Sequence, residues 1–575
     1  MALDEDLVTT PPIVMAHQTR LTALPELTDL VLLIRDDVPA TANAFAARLP
    51  GVRVHVLGAR RDLDADELTQ LQSGVTYQLA KSEQARVDYL ARIPRPQAII
   101  EAGNKKRAHK LSSFRALFYF ISPGGFYSVE ELDAVGSERY DDGGANVLEL
   151  LAKVASERAM PGAGARAAPV MVRELAAAAG KIVFEDRRAI IERTGARLWF
   201  KLRDWESDDV LTRRYDDDWG IVLERRPARS FQSRAKVTSH GEGPIPGGTK
   251  TYAVPELFFR RYRNVTCTAR QIVRFREYVL PDSWRHPNQR VLNNRQLVHS
   301  SPFFGRYLDR TEPTETLRAA GSFYYFDTEL PGHFGHITTD VLSRVWGYHI
   351  ARRYDPTVRP LLSVSIMPKQ IPGFQQAIFA ALDIPTEDAL IIGPREAVEI
   401  ETLYAGSPQL ENPHYIDPDL AGVWRNLADG LPPGRPSAAD KIFISRRPSD
   451  KRHCPQTPQI ERFFAREKFQ IVFPEDHPYA DQKEMFARAR IVAGFGGSGM
   501  FNMMFAPRAR VIIISGSSYN AENEHLIAAA NGNDLHYFWG QSELPMPARF
   551  SLDAFRSSFT FDLRRHKQAL RSLIA

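Results

Sequence analysis

The sequence predicts an α/β protein of more than one unit, and three observations predict it. Short apolar runs that read as buried strands alternate with segments of helical period, both near the start and through the second half. A chain of 575 residues exceeds what one hydrophobic core organises, so two or three units are expected. At 43% hydrophobic and 25% charged residues the composition is that of a chain that packs rather than one that stays disordered.

Taken in order, LVLLI at Leu30–Ile34, VRVHVL at Val52–Leu57 and QAIIEAG at Gln97–Gly103 read as buried parallel strands. ATANAFAARL and RVDYLARI between them read as amphipathic helices, which gives an open, Rossmann-like sheet. ANVLELLAKVASERA reads as a further helix and MPGAGARAAP as a break. RLWFKL and WGIVLERR read as short strands with a turn in YDDDWG. SHGEGPIPGGTK, rich in glycine and proline, is expected to be a linker over 239–250 that closes a first domain spanning 1–238. A lobe over 251–434 follows, with FYYFD and PLLSVSI as strands and ITTDVLSRVWGYHIARRY and GFQQAIFAAL as helices. After GLPPGRPSAAD comes a lobe over 435–575, with KIFISRR, QIVFP, RIVAGFGG and RVIIIS as strands. Two such lobes enclose a cleft at the carboxyl ends of their strands.

Composition narrows the function. A formal charge of +5 suits anionic ligands but is too dilute for a dedicated nucleic-acid binder. Cys267 and Cys454 build no disulfide framework and no CxxC zinc site, which suits a reducing compartment. The first twenty residues start acidic and do not read as a signal peptide, and no run reaches the roughly 18 apolar residues that span a bilayer. The expectation is a cytoplasmic protein, with peripheral docking on membrane-bound assembly machinery and the oligomeric state both left open.

In the last lobe, KIFISRRPSDKR places basic residues at the carboxyl end of a strand, and RIVAGFGGSGMFNMMFAP ends a strand in a glycine-rich turn that opens a helix. Glycines at 494, 496, 497 and 499 allow backbone N–H groups to approach an anion. Arg446, Arg447 and Arg452 supply fork-shaped donors, so the parts together describe a diphosphate pocket.

With GHFGHITTDVLSRVW, KIFISRR, FPEDHPYADQKEMFARARIVAG, GGSGMFNMMFAP and LHYFWG in this order, the stretch from about 250 to 575 resembles glycosyltransferase family 61. The resemblance implies a two-lobed, GT-B-type, inverting enzyme that moves a sugar from a nucleotide donor, with a UDP-sugar favoured, to a hydroxyl of a glycan or other acceptor. It implies polysaccharide or glycoconjugate biosynthesis, and neither a bound metal nor another cofactor is expected. Carried over by position, Arg446 and Arg452 bind the donor diphosphate, with Arg447 beside them. Gly497, Ser498, Gly499 and Asn502 form the glycine-rich turn, and Gln482 supports the same lobe. His336 and Asp340 match a His followed four residues later by Asp, which share one helix face. Asp340 is then the preferred base for the acceptor hydroxyl and His336 the alternate. The chain departs from the family pattern at Gly496, where His is usual, and at Gln456 and Thr457, where an Asn-Glu pair is common.

The first domain is similar to class I S-adenosylmethionine-dependent methyltransferases over QAIIEAGNKKRAHKLSSFRALFYFISPGGFYSVEELD, with Glu130 and Glu131 at the acidic pair. The loop after its first strand, IRDDVPATANAF, lacks the glycines that such a cofactor requires, and the usual acidic strand end reads Glu101-Ala102 with Asn104 and Lys105 following. A degenerate, inactive unit is therefore expected. Asp216, Asp217 and Asp218 resemble a metal-holding Asp-x-Asp motif but read as a solvated turn. His333, His336 and Asp340 have metal-compatible spacing without a clear further ligand. A non-catalytic scaffold and a bifunctional methyltransferase-glycosyltransferase remain as alternatives.

Overall fold

The structure, a computed structural model, describes residues 10–58, 62–103, 105–133, 145–161, 168–195, 198–449 and 451–575. Asn104 and the centre of the break around 163 lie outside the described residues.

The first sheet runs in the order Val75–Leu79, Arg53–Gly58, Asp29–Leu33, Ala98–Glu101, Phe126–Val129, Arg188–Arg193, Ala179–Glu185. Its first five strands are parallel and the last two form an antiparallel hairpin at the edge. Asp29–Leu33, Ala98–Glu101 and Phe126–Val129 are buried along their whole length, which is why they read as unbroken apolar runs rather than alternating ones.

The second sheet has eleven strands around a long antiparallel ladder of Leu257–Thr268 with Glu396–Gly406. Glu315–Tyr325, Arg359–Ser363 and Leu390–Ile392 continue it in parallel. Two strands expected in the first domain lie here instead. Trp199–Lys201 sits between Phe304–Tyr307 and Tyr278–Val279, and Gly220–Arg226 pairs with Leu257–Thr268. The cause is nonlocal: buried Arg260 forms ion pairs with Asp204 at 2.5 Å and with Asp208 at 2.7 Å, tying the connection between those two strands to the ladder.

The third sheet is parallel in the order Lys236–His240, Asp534–Ser542, Arg510–Gly516, Ile491–Phe495, Lys441–Ile444, Gln470–Val472, with Phe559–Thr560 added antiparallel at Asp534–Ser542. Its edge strand spans the boundary expected between the first domain and the linker, with 236–238 from the former and 239–240 from the latter. Lys236–His240 pairs with Asp534–Ser542, Gly248 bridges back to Val237, and Trp539 Nε1 donates to Ser239 Oγ at 2.7 Å. A Cβ on Gly243 would lie 2.1 Å from the Trp539 ring, so that glycine serves close packing rather than flexibility.

One apolar core runs continuously from the second sheet's helices to the third sheet and includes Tyr324, Trp346, Phe379, Tyr479 and Phe501. Another joins the first sheet to the second through Phe114, Tyr127, Phe200 and Phe304. Phe120 and Phe304 meet edge to face at 4.8 Å, and Arg306 pairs with Glu174 at 2.9 Å.

Candidate active site

In the third sheet, Lys441–Ile444 has Gln470–Val472 on one side and Ile491–Phe495 on the other, so the chain leaves these central strands in opposite directions. The crevice outside their carboxyl ends is the topological switch point where open α/β sheets bind ligands. It opens into a cleft of about 860 Å³ that also takes in Phe334, Phe374 and Ala377 from the second unit. Arg446, Arg447, Arg452, Gln482, Gly497, Ser498 and Gly499 all line it.

Arg446 and Arg452 converge. Arg446 Nη2 donates to the Gly496 carbonyl at 2.6 Å and Arg452 Nη1 donates to the same oxygen at 3.1 Å. Neither guanidinium has a carboxylate within ion-pair distance among the described residues. Burial, with the neighbouring charge of Arg452, pushes the Arg446 guanidinium down to about 10. Arg452 stacks over Tyr519 at 5.1 Å and Phe555 at 5.4 Å, and adopts φ +53°, a backbone conformation uncommon for a side-chain-bearing residue. Gly497, at φ +144°, faces both: a Cβ there would lie 3.1 Å from Arg452 Nη2 and 3.4 Å from Arg446 Nη2. Its N–H donates to Glu524 Oε1 at 2.7 Å, and Tyr519 Oη donates to the same carboxylate at 2.8 Å. Burial, against those hydrogen bonds, pushes the Glu524 carboxyl up.

The helix that opens after the turn, Ser498–Phe505, is a 3₁₀ helix, so Ser498 and Gly499 carry the N–H groups that no helical carbonyl reaches. Asn502 does not line the cleft. It is fully buried and donates to Gln482 Oε1 at 2.8 Å, while Gln482 donates to the Pro474 carbonyl at 2.7 Å and the His477 carbonyl at 3.0 Å. The pair holds the wall formed by Pro474–Tyr479 rather than presenting both amides to a ligand. Arg447 is exposed and pairs with Asp476, its guanidinium lying over Phe473. At Gly496 a Cβ would come within 3.0 Å of Tyr519, so the room that a His would need there is taken by the ring on which Arg452 stacks. Gln456 accepts from the Phe561 N–H at 3.1 Å, a contact within the unit.

The expected long helix over 337–354 is broken into pieces. Phe334–His336 is α, Ile337–Val341 is π, Leu342–Arg344 is 3₁₀ and Trp346–Tyr354 is α again. His336 and Asp340 nevertheless face each other, with Nδ1 to Oδ2 at 2.7 Å, and Arg285 Nε reaches the same carboxylate at 3.1 Å. Burial would raise the Asp340 carboxyl, but the Arg285 and His336 charges outweigh it and hold it well below the usual carboxylate range. Gly335, next in sequence to His336, abuts the glycine-rich turn: a Cβ there would lie 3.0 Å from Ser498 Cβ. The segment that carries the His–Asp pair thus abuts the glycine-rich turn, and Phe334 two residues before His336 lines the arginine cleft, whereas His336 and Asp340 themselves are not among its lining residues. His333 stacks edge-on against His336 at 4.9 Å and is pushed down to about 4 by burial and its neighbours.

The remaining expectations fall elsewhere. Asp216, Asp217 and Asp218 are exposed and follow a helix, Ser207–Tyr215, instead of a strand. In the first unit Glu101 is buried and accepts from Tyr127 Oη at 2.8 Å; Glu130 is held by His17 at 2.8 Å and Arg188 at 3.1 Å, and Glu131 by Lys105 at 3.3 Å. Two site residues had no signal in the sequence. Glu524 lies in an unremarked polar run and Arg285 far from every motif, and each meets the site through a residue distant in the chain, Gly497 for the first and Asp340 for the second.

No curated protein matches the chain. Among solved structures, the MycE methyltransferase from the mycinamycin biosynthetic pathway in complex with Mg and SAH is similar, at 15% identity over 31% of this chain and 49% of that chain, with a TM-score of 0.26. The same enzyme in complex with Mg, SAH and mycinamycin VI is similar at 13% identity, over 31% of this chain and 48% of that one, with the same TM-score of 0.26. The chain spans about half the length of these structures, and likeness at this level fixes neither fold nor activity. Residues 334–513, which carry His336, Asp340, both converging arginines and the glycine-rich turn, match the family model described as Glycosyltransferase 61, and the match supports a glycosyltransferase.

Proposed function

We propose that the chain is an inverting glycosyltransferase of the two-lobed GT-B type that transfers a sugar from a nucleotide donor, of the UDP class, to a hydroxyl of a glycan or other acceptor. The observation that carries this is the convergence of Arg446 and Arg452 on one neutral carbonyl, without a carboxylate partner among the described residues, inside a cleft. Two partly buried cations so placed are poised for an anion with several acceptor oxygens, such as a diphosphate. The N–H groups of Ser498 and Gly499 add donors at a helix start.

In an inverting transfer a base removes the acceptor proton as the hydroxyl attacks the anomeric carbon from the face opposite the leaving diphosphate. Asp340, held strongly ionised by Arg285, is a weak proton acceptor. His336 takes that role through Nε2, while Asp340 accepts from Nδ1–H, fixing the tautomer and stabilising the imidazolium that forms. The arginine pair takes up the negative charge that develops on the departing diphosphate. The reaction belongs in polysaccharide or glycoconjugate assembly. The first unit, with its acidic strand ends tied up in internal pairs, serves as a methyltransferase-like support without catalysis of its own.

The test is a thermal-shift series with nucleotide diphosphates, nucleotide sugars and S-adenosylmethionine. A ligand at 100 times its dissociation constant adds about 2.7 kcal/mol to the native state. A rise in Tm with UDP, abolished in Arg452→Ala, is expected. A rise with S-adenosylmethionine alone would place the activity in the first unit.

A further inference from the structure

His286, Glu411 and His414 stand together away from the arginine cleft, and their ligating atoms all lie within 4.8 Å of one another. His286 Nδ1 is 3.7 Å from Glu411 Oε1. Glu411 is 1% exposed; its Oε1 accepts from Gln289, but Oε2 is buried with no hydrogen-bond partner, and neither has the buried Nδ1 of His286 one. His286 is the carboxylate's one ion-pair partner among the described residues. A buried carboxylate oxygen and a buried ring nitrogen in one cluster, each without a hydrogen-bond partner among the described residues, cost free energy that hydrogen bonding does not recover. A cation between them removes both deficits.

We propose that His286, Glu411 and His414 form a binding site for a divalent cation of the zinc type. Two imidazoles and one carboxylate suit zinc and its first-row neighbours rather than magnesium or calcium, which prefer all-oxygen shells. Bonds of about 2.0–2.2 Å in tetrahedral array put ligand atoms roughly 3.4 Å apart, so small side-chain rotations close the shell, and three protein ligands leave a fourth position for water.

The location gives the site a consequence. Arg285, the partner of Asp340, precedes His286, so the cation pins the loop that carries Arg285. The loop of Glu411 and His414 also touches the third unit, where the Glu522 N–H donates to Asn412 Oδ1 at 3.0 Å and Lys250 joins Glu522 at 2.7 Å. The cation therefore staples the seam between the second and third units and positions Arg285, without meeting the donor.

The test is metal content. Full-length protein is loaded with Zn²⁺, dialysed and analysed by inductively coupled plasma mass spectrometry, alongside His414→Ala and Glu411→Gln. His414 is exposed, so its truncation leaves the core intact. About one equivalent retained by the native chain and near none by either variant is expected, with the visible absorption of a tetrahedral or five-coordinate centre when Co²⁺ replaces zinc. No zinc retained by the native chain, or equal retention in His414→Ala, overturns the assignment. The readout is independent of sugar transfer, so it stands or falls separately from the proposed activity.

Discussion

Arg452 and Gly497 share one backbone problem: both have positive φ, +53° and +144°, and a Cβ on the glycine would press to 3.1 Å from the arginine's guanidinium. Gly497→Ala is expected to cost about 1–3 kcal/mol of stability and to weaken nucleotide binding, read by denaturant unfolding and calorimetric titration. At the other wall, His336→Ala and Asp340→Asn should each lower kcat by about 10²–10⁴ while leaving the donor Kd within a few fold. Full turnover in His336→Ala with none in Asp340→Asn would hand the base role back to the carboxylate. His525 sets a pH dependence of a different kind. It is 4% exposed, and burial pushes its imidazole down to about 4. The folded chain keeps it neutral while the unfolded chain protonates it below about pH 6.5, so stability falls as pH drops from about 6.5 to 4. His525→Asn should make that limb shallower in Tm measured against pH, with His333, likewise held down to about 4, contributing part of the remainder.

At the scale of elements, the close approach of the short helix Phe334–His336 to the turn at Ser498 sets the distance between the His–Asp segment and the glycine-rich turn. Gly335→Val would force them apart by a fraction of an ångström or more. An expected kcat loss of about 10²-fold, with donor affinity little changed, follows from misplacement of reacting groups. Single-turnover and binding measurements on that variant separate the two. These elements differ in how far the sequence announces them. Parallel strands such as Ile491–Phe495 and Arg510–Gly516 are fully or nearly buried, and burial on both faces writes itself as an apolar run. The arginines and glycines that line the cleft were legible for a similar reason, since a strand end and its turn are local features. Partner choice is not local. Trp199–Lys201 and Gly220–Arg226 look like strands anywhere, and partners such as Arg260, more than thirty residues beyond the second, tie them to the second sheet. Glycines carry two opposite meanings, freedom and close packing, and Gly243 against Trp539 shows why 239–250 read as a linker. The change of winding at Ile337–Val341 left no mark in the sequence, because π and α turns present similar apolar patterns.

For the whole molecule, the shared cores decide what can be cut. A fragment over 251–575 would lose the edge strand Lys236–His240, the strand Gly220–Arg226 beside the long ladder, and the aromatic cover over Phe304. Exposed strand edges and apolar faces favour aggregation. Expression of that fragment is expected to yield insoluble protein, whereas a soluble monomer melting cooperatively would show that the units are separable. The same edge strand has a consequence for biogenesis. His240 stacks on Phe538 at 4.2 Å, so the third sheet is bordered by residues that leave the ribosome long before their partners. At about 5–20 residues per second, the roughly 300 intervening residues take on the order of 15–60 s to synthesise. Throughout that interval Lys236–His240 waits without its neighbour, and the carboxyl-terminal sheet is completed only by capturing a strand that has been waiting since the first half of translation.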